Sequence, residues 1–136
     1  IKYYLPQVKI IPIMISNYST LEEISELTQT LKPILEENQD VVVVASVDFS
    51  HYLSAHNAKL NDEKTLELIT SKNYPVLRKL NNDYLDSPTS VIALLQLIEI
   101  IPNVKQHNLD HQNSGDLMSN PSQETTSYFE IIYTQN

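Results

Sequence analysis

The stretch Val41-Val42-Val43-Val44-Ala45-Ser46-Val47-Asp48-Phe49-Ser50-His51-Tyr52 decides the predicted fold. Its first half is apolar at consecutive positions and rich in β-branched valine, which packs well on a pleated sheet. Apolar residues on both alternating faces indicate a strand that is covered on both sides, as in a parallel sheet. Ligands of open α/β sheets bind beyond the carboxyl ends of the strands. The stretch therefore predicts a buried strand that delivers Asp48, Ser50 and His51 to a functional edge.

The rest of the chain predicts strands and helices around this strand. A second apolar run, Val8 to Ile15, contains Pro12, which implies an edge position, a bulge or a break. Apolar residues at helical spacing in residues 21–35 connect the two runs, so we expect a right-handed strand–helix–strand crossover. Further helices are expected over Asn57–Ser71, over Tyr74–Leu80 and from Ser87, further strands over Val104–His111 and Ser127–Tyr133, and a polar loop over Gln112–Gln123. The predicted fold class is α/β, with a mostly parallel or mixed central sheet and helices on both faces.

The helix predicted over residues 57–71 has an apolar and a polar side. Leu60, Leu66 and Ile69 are expected to face the core. The acidic residues of the helices, Asp62 among them, are expected to form solvated faces.

Composition restricts the classes of partner and compartment. The chain has 17 acidic against 9 basic residues and a net charge of -8. Nucleic acid and anionic membrane surfaces are therefore poor partners, because both require clustered Lys and Arg. The absence of cysteine excludes disulfides and thiolate metal sites, and no apolar run approaches the ~20 residues of a membrane span. Without a recognisable signal peptide, the chain is expected to be cytoplasmic.

The start of the sequence predicts the domain organisation. It opens with Ile1-Lys2-Tyr3-Tyr4, without Met and without a polar leader. The 136 residues suffice for one domain with a core. We expect residues 1–136 to be a single domain and the C-terminal part of a longer one.

The polar end of the valine stretch is the leading candidate for chemistry. The imidazole of His51 can donate or accept a proton near neutral pH, and the carboxylate of Asp48 can fix its tautomer. The structural interpretation is a polar turn after a strand, in which Asp48 or Ser50 caps the loop. On spacing alone, the two interpretations have about equal weight.

Two other patterns resemble metal sites. His107 and His111 are four residues apart, the spacing at which two histidines on a helix can share a metal. The segment between them is a poor helix former, so surface or loop histidines are the stronger prediction. Asp83 and Asp86 precede Ser87-Pro88, where spacing alone predicts helix capping.

Several of these stretches, in this order, resemble motifs of the MEMO family, the AmmeMemoRadiSam system protein B group. The most specific match is residues 43–52, VVASVDFSHY, which resembles the family signature ASSDFSHY. Residues 9–13, KIIPI, resemble its K-[IV]-[VI]-P-[IV] strand, and residues 111–116, HQNSGD, resemble its Y-x-x-SGD motif. Residues 86–95 fall where the family has CG-x-x-PI-x-x-LL, and residues 125–128 resemble its final S-x-V-SY strand. The matches correspond to the later half of a family member.

The resemblance implies a fold and a set of residue roles. The MEMO family is similar in fold to the class III extradiol dioxygenases, α/β enzymes with a mononuclear non-haem iron. By this resemblance, His51 is the catalytic proton donor or acceptor, Asp48 lines the same cavity and Asp86 is a metal ligand. Asp86 stands where MEMO-like proteins usually have Cys and the dioxygenases have a carboxylate, and a weaker alignment leaves Asp83 as the alternative. Two His and one carboxylate form the facial triad of non-haem iron.

The same resemblance sets the expected function. The two metal-binding histidines of the family lie in its first half, in stretches that these 136 residues do not contain. We expect a metal-dependent redox enzyme of unknown substrate, with iron or copper as the cofactor. The alternative is a non-catalytic module that binds a peptide or another protein in the same cleft, since family members are associated with protein partners.

Overall fold

The computed structural model describes residues 1–135 as a mixed α/β structure. The helices are α1 (Leu21–Glu37), α2 (Ala55–Thr70), α3 (Tyr74–Leu77), α4 (Pro88–Ile100) and α5 (Ser114–Leu117). The strands are β1 (His51–Leu53), β2 (Val104–Asn113) and β3 (Thr125–Gln135). They form an antiparallel sheet in the order β1-β3-β2. No helix within residues 1–135 has the length and apolar character that crossing a membrane requires.

Helix α1 begins at a reciprocal cap. The Thr20 hydroxyl accepts a hydrogen bond from the Glu23 amide at 3.1 Å, and the Glu23 carboxylate accepts one from the Thr20 amide at 2.8 Å. This arrangement satisfies two amides that have no partner within the helix. The helix continues through Pro33 and buries Ile24 and Thr28. The predicted helix in this region is confirmed.

Helix α4 lies at the centre of the hydrophobic core. Pro88 occupies its first position, where the missing amide proton costs nothing. Ser87 precedes it, but its hydroxyl pairs with the Ser90 hydroxyl at 2.7 Å rather than capping the helix. Helix α1 packs against α4. The buried apolar cluster contains Ile24, Phe49, Ile69, Leu77, Leu85, Val91, Ile92 and Leu95.

Strands β2 and β3 form a long antiparallel hairpin. Gln106 pairs with Tyr133 and Asn113 with Ser127, and the register shifts between Asn108 and Asp110. Both predicted strands in this region are confirmed. The predicted polar loop is shorter than expected, because the end of β2 and the one-turn helix α5 occupy its first part.

The two strands predicted in the first half of the chain are absent from the described residues. Val42 is 82% exposed and Ile11 is 84% exposed, and neither apolar run belongs to the sheet. The predicted parallel pairing and strand–helix–strand crossover are therefore wrong for residues 1–135. A strand forms only where a neighbouring backbone pairs with its amides and carbonyls, and apolar composition does not supply that neighbour.

The orientation of α2 differs from the predicted one. Leu60 is exposed, whereas Asp62 is fully buried. Ile69 is buried, as expected. The helix face that turns inward contains Ala58, Asp62, Thr65 and Ile69. This face therefore contains one buried acid, Asp62, which pairs with a histidine of β2.

Candidate functional site

Strand β1 carries His51 and is held in place by β3. The Phe49 amide donates to the Ser127 carbonyl at 3.0 Å, and the Ser127 amide donates to the Ser50 carbonyl at 2.9 Å. His51 itself pairs with Thr126 across the sheet. The hydrogen bonds that position His51 thus come from β3. The sequence predicts instead that the valine run holds His51 in place as part of a buried strand.

The His51 ring is buried and has one fixed nitrogen. Its Nδ1 lies 2.9 Å from the Phe49 carbonyl oxygen. A carbonyl can only accept, so Nδ1 carries the proton and Nε2 is the nitrogen left for exchange. The ring also contacts the edge of Tyr52 at 4.7 Å between centroids. Tyr52 has φ 62°, a left-handed conformation that is uncommon for a non-glycine residue.

The structure brings Asp48 and Asp86 together through their backbones. The Asp86 amide donates to the Asp48 carbonyl at 3.0 Å, and the neighbouring residues Phe49 and Leu85 form an antiparallel bridge. The Asp86 carbonyl accepts from the Asn17 amide group at 2.8 Å. Both aspartates are exposed, so the loops that precede β1 and α4 present two carboxylates at one junction.

A buried hydroxyl lies next to this junction. Ser50 is fully buried, and its Oγ has no hydrogen-bond partner among residues 1–135. Buried polar atoms are usually paired, and exceptions concentrate where a ligand, an ion or water completes the set. The sequence assigns Ser50 either to a functional edge with Asp48 and His51 or to a polar turn, and its burial is not evident from the sequence.

The described residues do not complete a metal site. Within residues 1–135, no group of three or more His, Cys, Asp or Glu side chains is placed to hold a metal ion. Asp86 offers one carboxylate, whereas an iron facial triad needs two imidazoles in addition. Asp83, the alternative ligand, accepts from the Asn81 side chain at 3.4 Å and contributes its carbonyl to Asn61 at 2.9 Å. The residues present therefore do not by themselves fit iron or copper.

The remaining histidines have separate partners. His107 Nε2 lies 3.0 Å from the Thr134 hydroxyl, whereas His111 Nε2 lies 2.8 Å from an Asp62 carboxylate oxygen. The two histidines thus pair with different residues, although both lie on β2. The contact between Asp62 and His111 was missed at the sequence level. The spacing of Ala58, Asp62 and Thr65 could have indicated that Asp62 is buried, because it repeats at four and three residues like a buried helix face, but it does not indicate the partner.

An apolar cavity of about 70 Å³ lies under the end of the valine stretch. Val47, Phe49 and Leu95 line it together with Phe129 and Ile131 of β3. His51, Asp48 and Asp86 are not among its lining residues. The polar junction and this apolar cavity are therefore different features of the same region.

Comparison with known proteins identifies the family. The family model described as Memo-like protein matches residues 1–132. A MEMO1 family protein from Aquifex aeolicus (strain VF5) is 37% identical over 51 residues, which is 38% of this chain and 13% of that protein. The alignment with that relative thus spans about an eighth of its length. With nearly the whole sequence matched by the family model, the chain belongs to the Memo-like protein family.

Proposed function

We propose that this chain is part of a metal-dependent redox enzyme in which His51 acts as the proton donor or acceptor. The observation that carries the proposal is the fixed tautomer of His51: the Phe49 carbonyl holds Nδ1 at 2.9 Å and leaves Nε2 for exchange. A histidine that is oriented by a backbone carbonyl is prepared for general acid–base work. The Ser50 hydroxyl, next to His51 in the chain, is buried without a hydrogen-bond partner among residues 1–135. This supports a site that a ligand completes.

The two aspartates have different proposed roles. Asp48 polarises the junction next to His51, and Asp86 contributes one carboxylate ligand to iron or copper. The backbone hydrogen bond between them, 3.0 Å long, supports their placement in one site. Further ligands would come from residues outside this chain. The cofactor proposal rests on the resemblance to the extradiol dioxygenases, which is an argument from fold.

The role of Asp86 is tested by metal titration. Fe(II) and Cu(II) are titrated into a full-length version that supplies the further ligands, with Asp86→Ala and the matched variant Asp83→Ala beside it. We expect Asp86→Ala to weaken binding by about tenfold or more, because a metal site loses a charged ligand, and Asp83→Ala to bind as the unaltered chain does. Equal affinity in the unaltered chain and in Asp86→Ala would remove Asp86 from the site.

The role of His51 is tested in the metal-loaded full-length version by its activity on a catechol-type substrate. The His51→Gln variant keeps a hydrogen-bonding side chain but cannot hold the proton. We expect its kcat to fall by about 10²–10⁴, the usual contribution of a positioned acid or base. His56→Gln, at an exposed position of α2, is the control and should retain activity. Unchanged turnover in His51→Gln would end the acid–base proposal.

A second candidate function is a non-catalytic module that binds a peptide or a protein. The observation that favours it is the exposure of two apolar runs outside the sheet, at Val8 to Ile15 and at Val41 to Val44. Backbone that is extended and unpaired can accept an added strand from a partner. Metal content after purification without chelator separates the two functions. A full-length protein that contains no transition metal and resists loading favours the binding module.

A further inference from the structure

The buried carboxylate of Asp62 on α2 pairs with the imidazole of His111 on β2, whose side chain is 34% exposed. The Asp62 side chain is 0% exposed, and its Oδ2 lies 2.8 Å from His111 Nε2. Its other oxygen, Oδ1, is buried and has no hydrogen-bond partner among residues 1–135. An ionised carboxylate only accepts hydrogen bonds, so Nε2 of His111 is the donor. The pair therefore fixes which nitrogen of His111 carries the proton.

The orientation of the His111 ring is fixed a second time by stacking. The ring lies flat on Phe129, with 4.2 Å between centroids and 7° between planes. Because Nε2 is taken by Asp62, the remaining nitrogen is Nδ1, which has no hydrogen-bond partner in the described part of the chain. In the neutral ring with its proton on Nε2, Nδ1 is a hydrogen-bond acceptor.

A polar cavity of about 130 Å³ adjoins this pair. Its lining residues are Lys59, Asp62, His111, Gln112, Asn113 and Asp116. A cavity of about 150 Å³ holds benzene, so a ligand of roughly six non-hydrogen atoms matches this volume. The Asn113 amide is already used: it donates to the Ser127 hydroxyl at 3.0 Å and accepts from the Gly115 amide at 2.9 Å. The acceptors left for a ligand include Nδ1 of His111 and the unpaired Oδ1 of Asp62.

We propose that Asp62 and His111 form a second proton-accepting site, distinct from His51, for a small molecule that carries an O–H or N–H donor. The ligand donates to Nδ1 of His111, while Asp62 holds Nε2. Two carboxylates, Asp62 and Asp116, outnumber the one ammonium group of Lys59 at the cavity, and the chain carries a net charge of -8. This balance of charge disfavours anions. The motif that residues 111–116 resemble has Tyr at the position of His111. A Tyr side chain could donate to Asp62, but it has no ring nitrogen that could accept from a ligand.

The first test measures the tautomer of His111 by NMR of its imidazole nitrogens, in the full chain. The measurement is made at about pH 9, well above the ordinary pKa range of imidazole. We expect the Nε2–H tautomer. In Asp62→Asn the amide offers Nε2 a donor as well as an acceptor, so the population of the Nε2–H tautomer of His111 should fall, whereas Asp83→Asn should leave it unchanged. An Nδ1–H or doubly protonated His111 in the unaltered chain, or an unchanged tautomer in Asp62→Asn, overturns the proposal.

The second test measures binding with probes of one size and different charge. Propylammonium and propylene glycol carry donors, and propionate, which is ionised, carries none. We expect the first two to shift the NMR signals of His111 and Gly115, with dissociation constants on the order of 1–100 mM for ligands this small. In His111→Tyr, which keeps the donor to Asp62 and thus the fold, binding should weaken about tenfold, the value of one lost hydrogen bond to a basic nitrogen.

Three outcomes of this second test would overturn the proposal. Equal binding by the unaltered chain and His111→Tyr overturns the proposal, as does propionate binding as tightly as propylammonium. The absence of shifts with both donors overturns it as well. Circular dichroism of each variant confirms that the comparison is made between folded proteins.

Discussion

Asn113 is a single side chain that joins three segments. Its Oδ1 accepts from the Gly115 amide at 2.9 Å and from the Thr125 hydroxyl, and its Nδ2 donates to the Ser127 hydroxyl at 3.0 Å. We expect Asn113→Ala to lower the free energy of unfolding by about 2–4 kcal/mol, because it leaves buried polar groups without partners. Urea unfolding measures this, with the exposed Gln112→Ala as control. A loss in Asn113→Ala no larger than in the control would contradict this role.

Tyr74 makes the free energy of unfolding depend on pH in the alkaline range. Burial, and next the hydrogen bond to and charge of Glu99, raise the pKa of the Tyr74 phenol above its ordinary value of about 10. A raised pKa means that the folded state holds the proton more tightly than the unfolded state. The resulting stability is therefore complete below about pH 10 and is lost as the pH rises above it.

The corresponding variant is Tyr74→Phe, which cannot ionise. We expect its free energy of unfolding to decline less between about pH 9 and pH 11 than that of the unaltered chain. Some decline remains, because burial also raises the pKa of Tyr133. Tyr18→Phe, at an exposed position, should follow the unaltered chain. Parallel pH profiles for Tyr74→Phe and the unaltered chain would exclude Tyr74 as the source.

At the scale of the element, α1 depends on its first residues. The Thr20 hydroxyl and the Glu23 carboxylate satisfy each other's amides across the first turn. We expect Thr20→Ala to lower the free energy of unfolding by about 1 kcal/mol, the usual cost of a lost N-cap. Thr30→Ala in the same helix is the control, since its exposed hydroxyl bonds only to the Glu26 carbonyl. If both variants unfold alike in urea, the cap does not stabilise the helix.

At the scale of the whole molecule, the hydrophobic core is confined to the part built around α4. The same substitution tests this at two sites, because Ile92 is 0% exposed and Ile11 is 84% exposed. Ile92→Ala should cost about 2–5 kcal/mol, the range for deleting buried methyl groups. Ile11→Ala should change the free energy of unfolding by less than about 0.5 kcal/mol. A large cost at Ile11, measured by urea unfolding, would show that its run packs in solution.

The candidate site was predictable where its residues are neighbours in the chain. Asp48 and His51 were singled out from one stretch, because a change from apolar to polar residues is a local signal. The resemblance also proposed Asp86, and the structure brings its backbone to Asp48. The pairing of Asp62 with His111 could not be read from the sequence, since it joins a helix to a strand that is distant along the chain.

The sequence by itself determined α1, α2 and α4, since capping residues, a proline at the first position and helical spacing act within one or two turns. Only the tertiary structure decided which extended segments became strands and which face of α2 turned inward. A helix closes its own hydrogen bonds, whereas a strand takes its hydrogen bonds from a neighbour. Val41 to Val44 therefore stay exposed despite their apolar composition, and the polar β2 pairs with β3 along its length except at the register shift between Asn108 and Asp110.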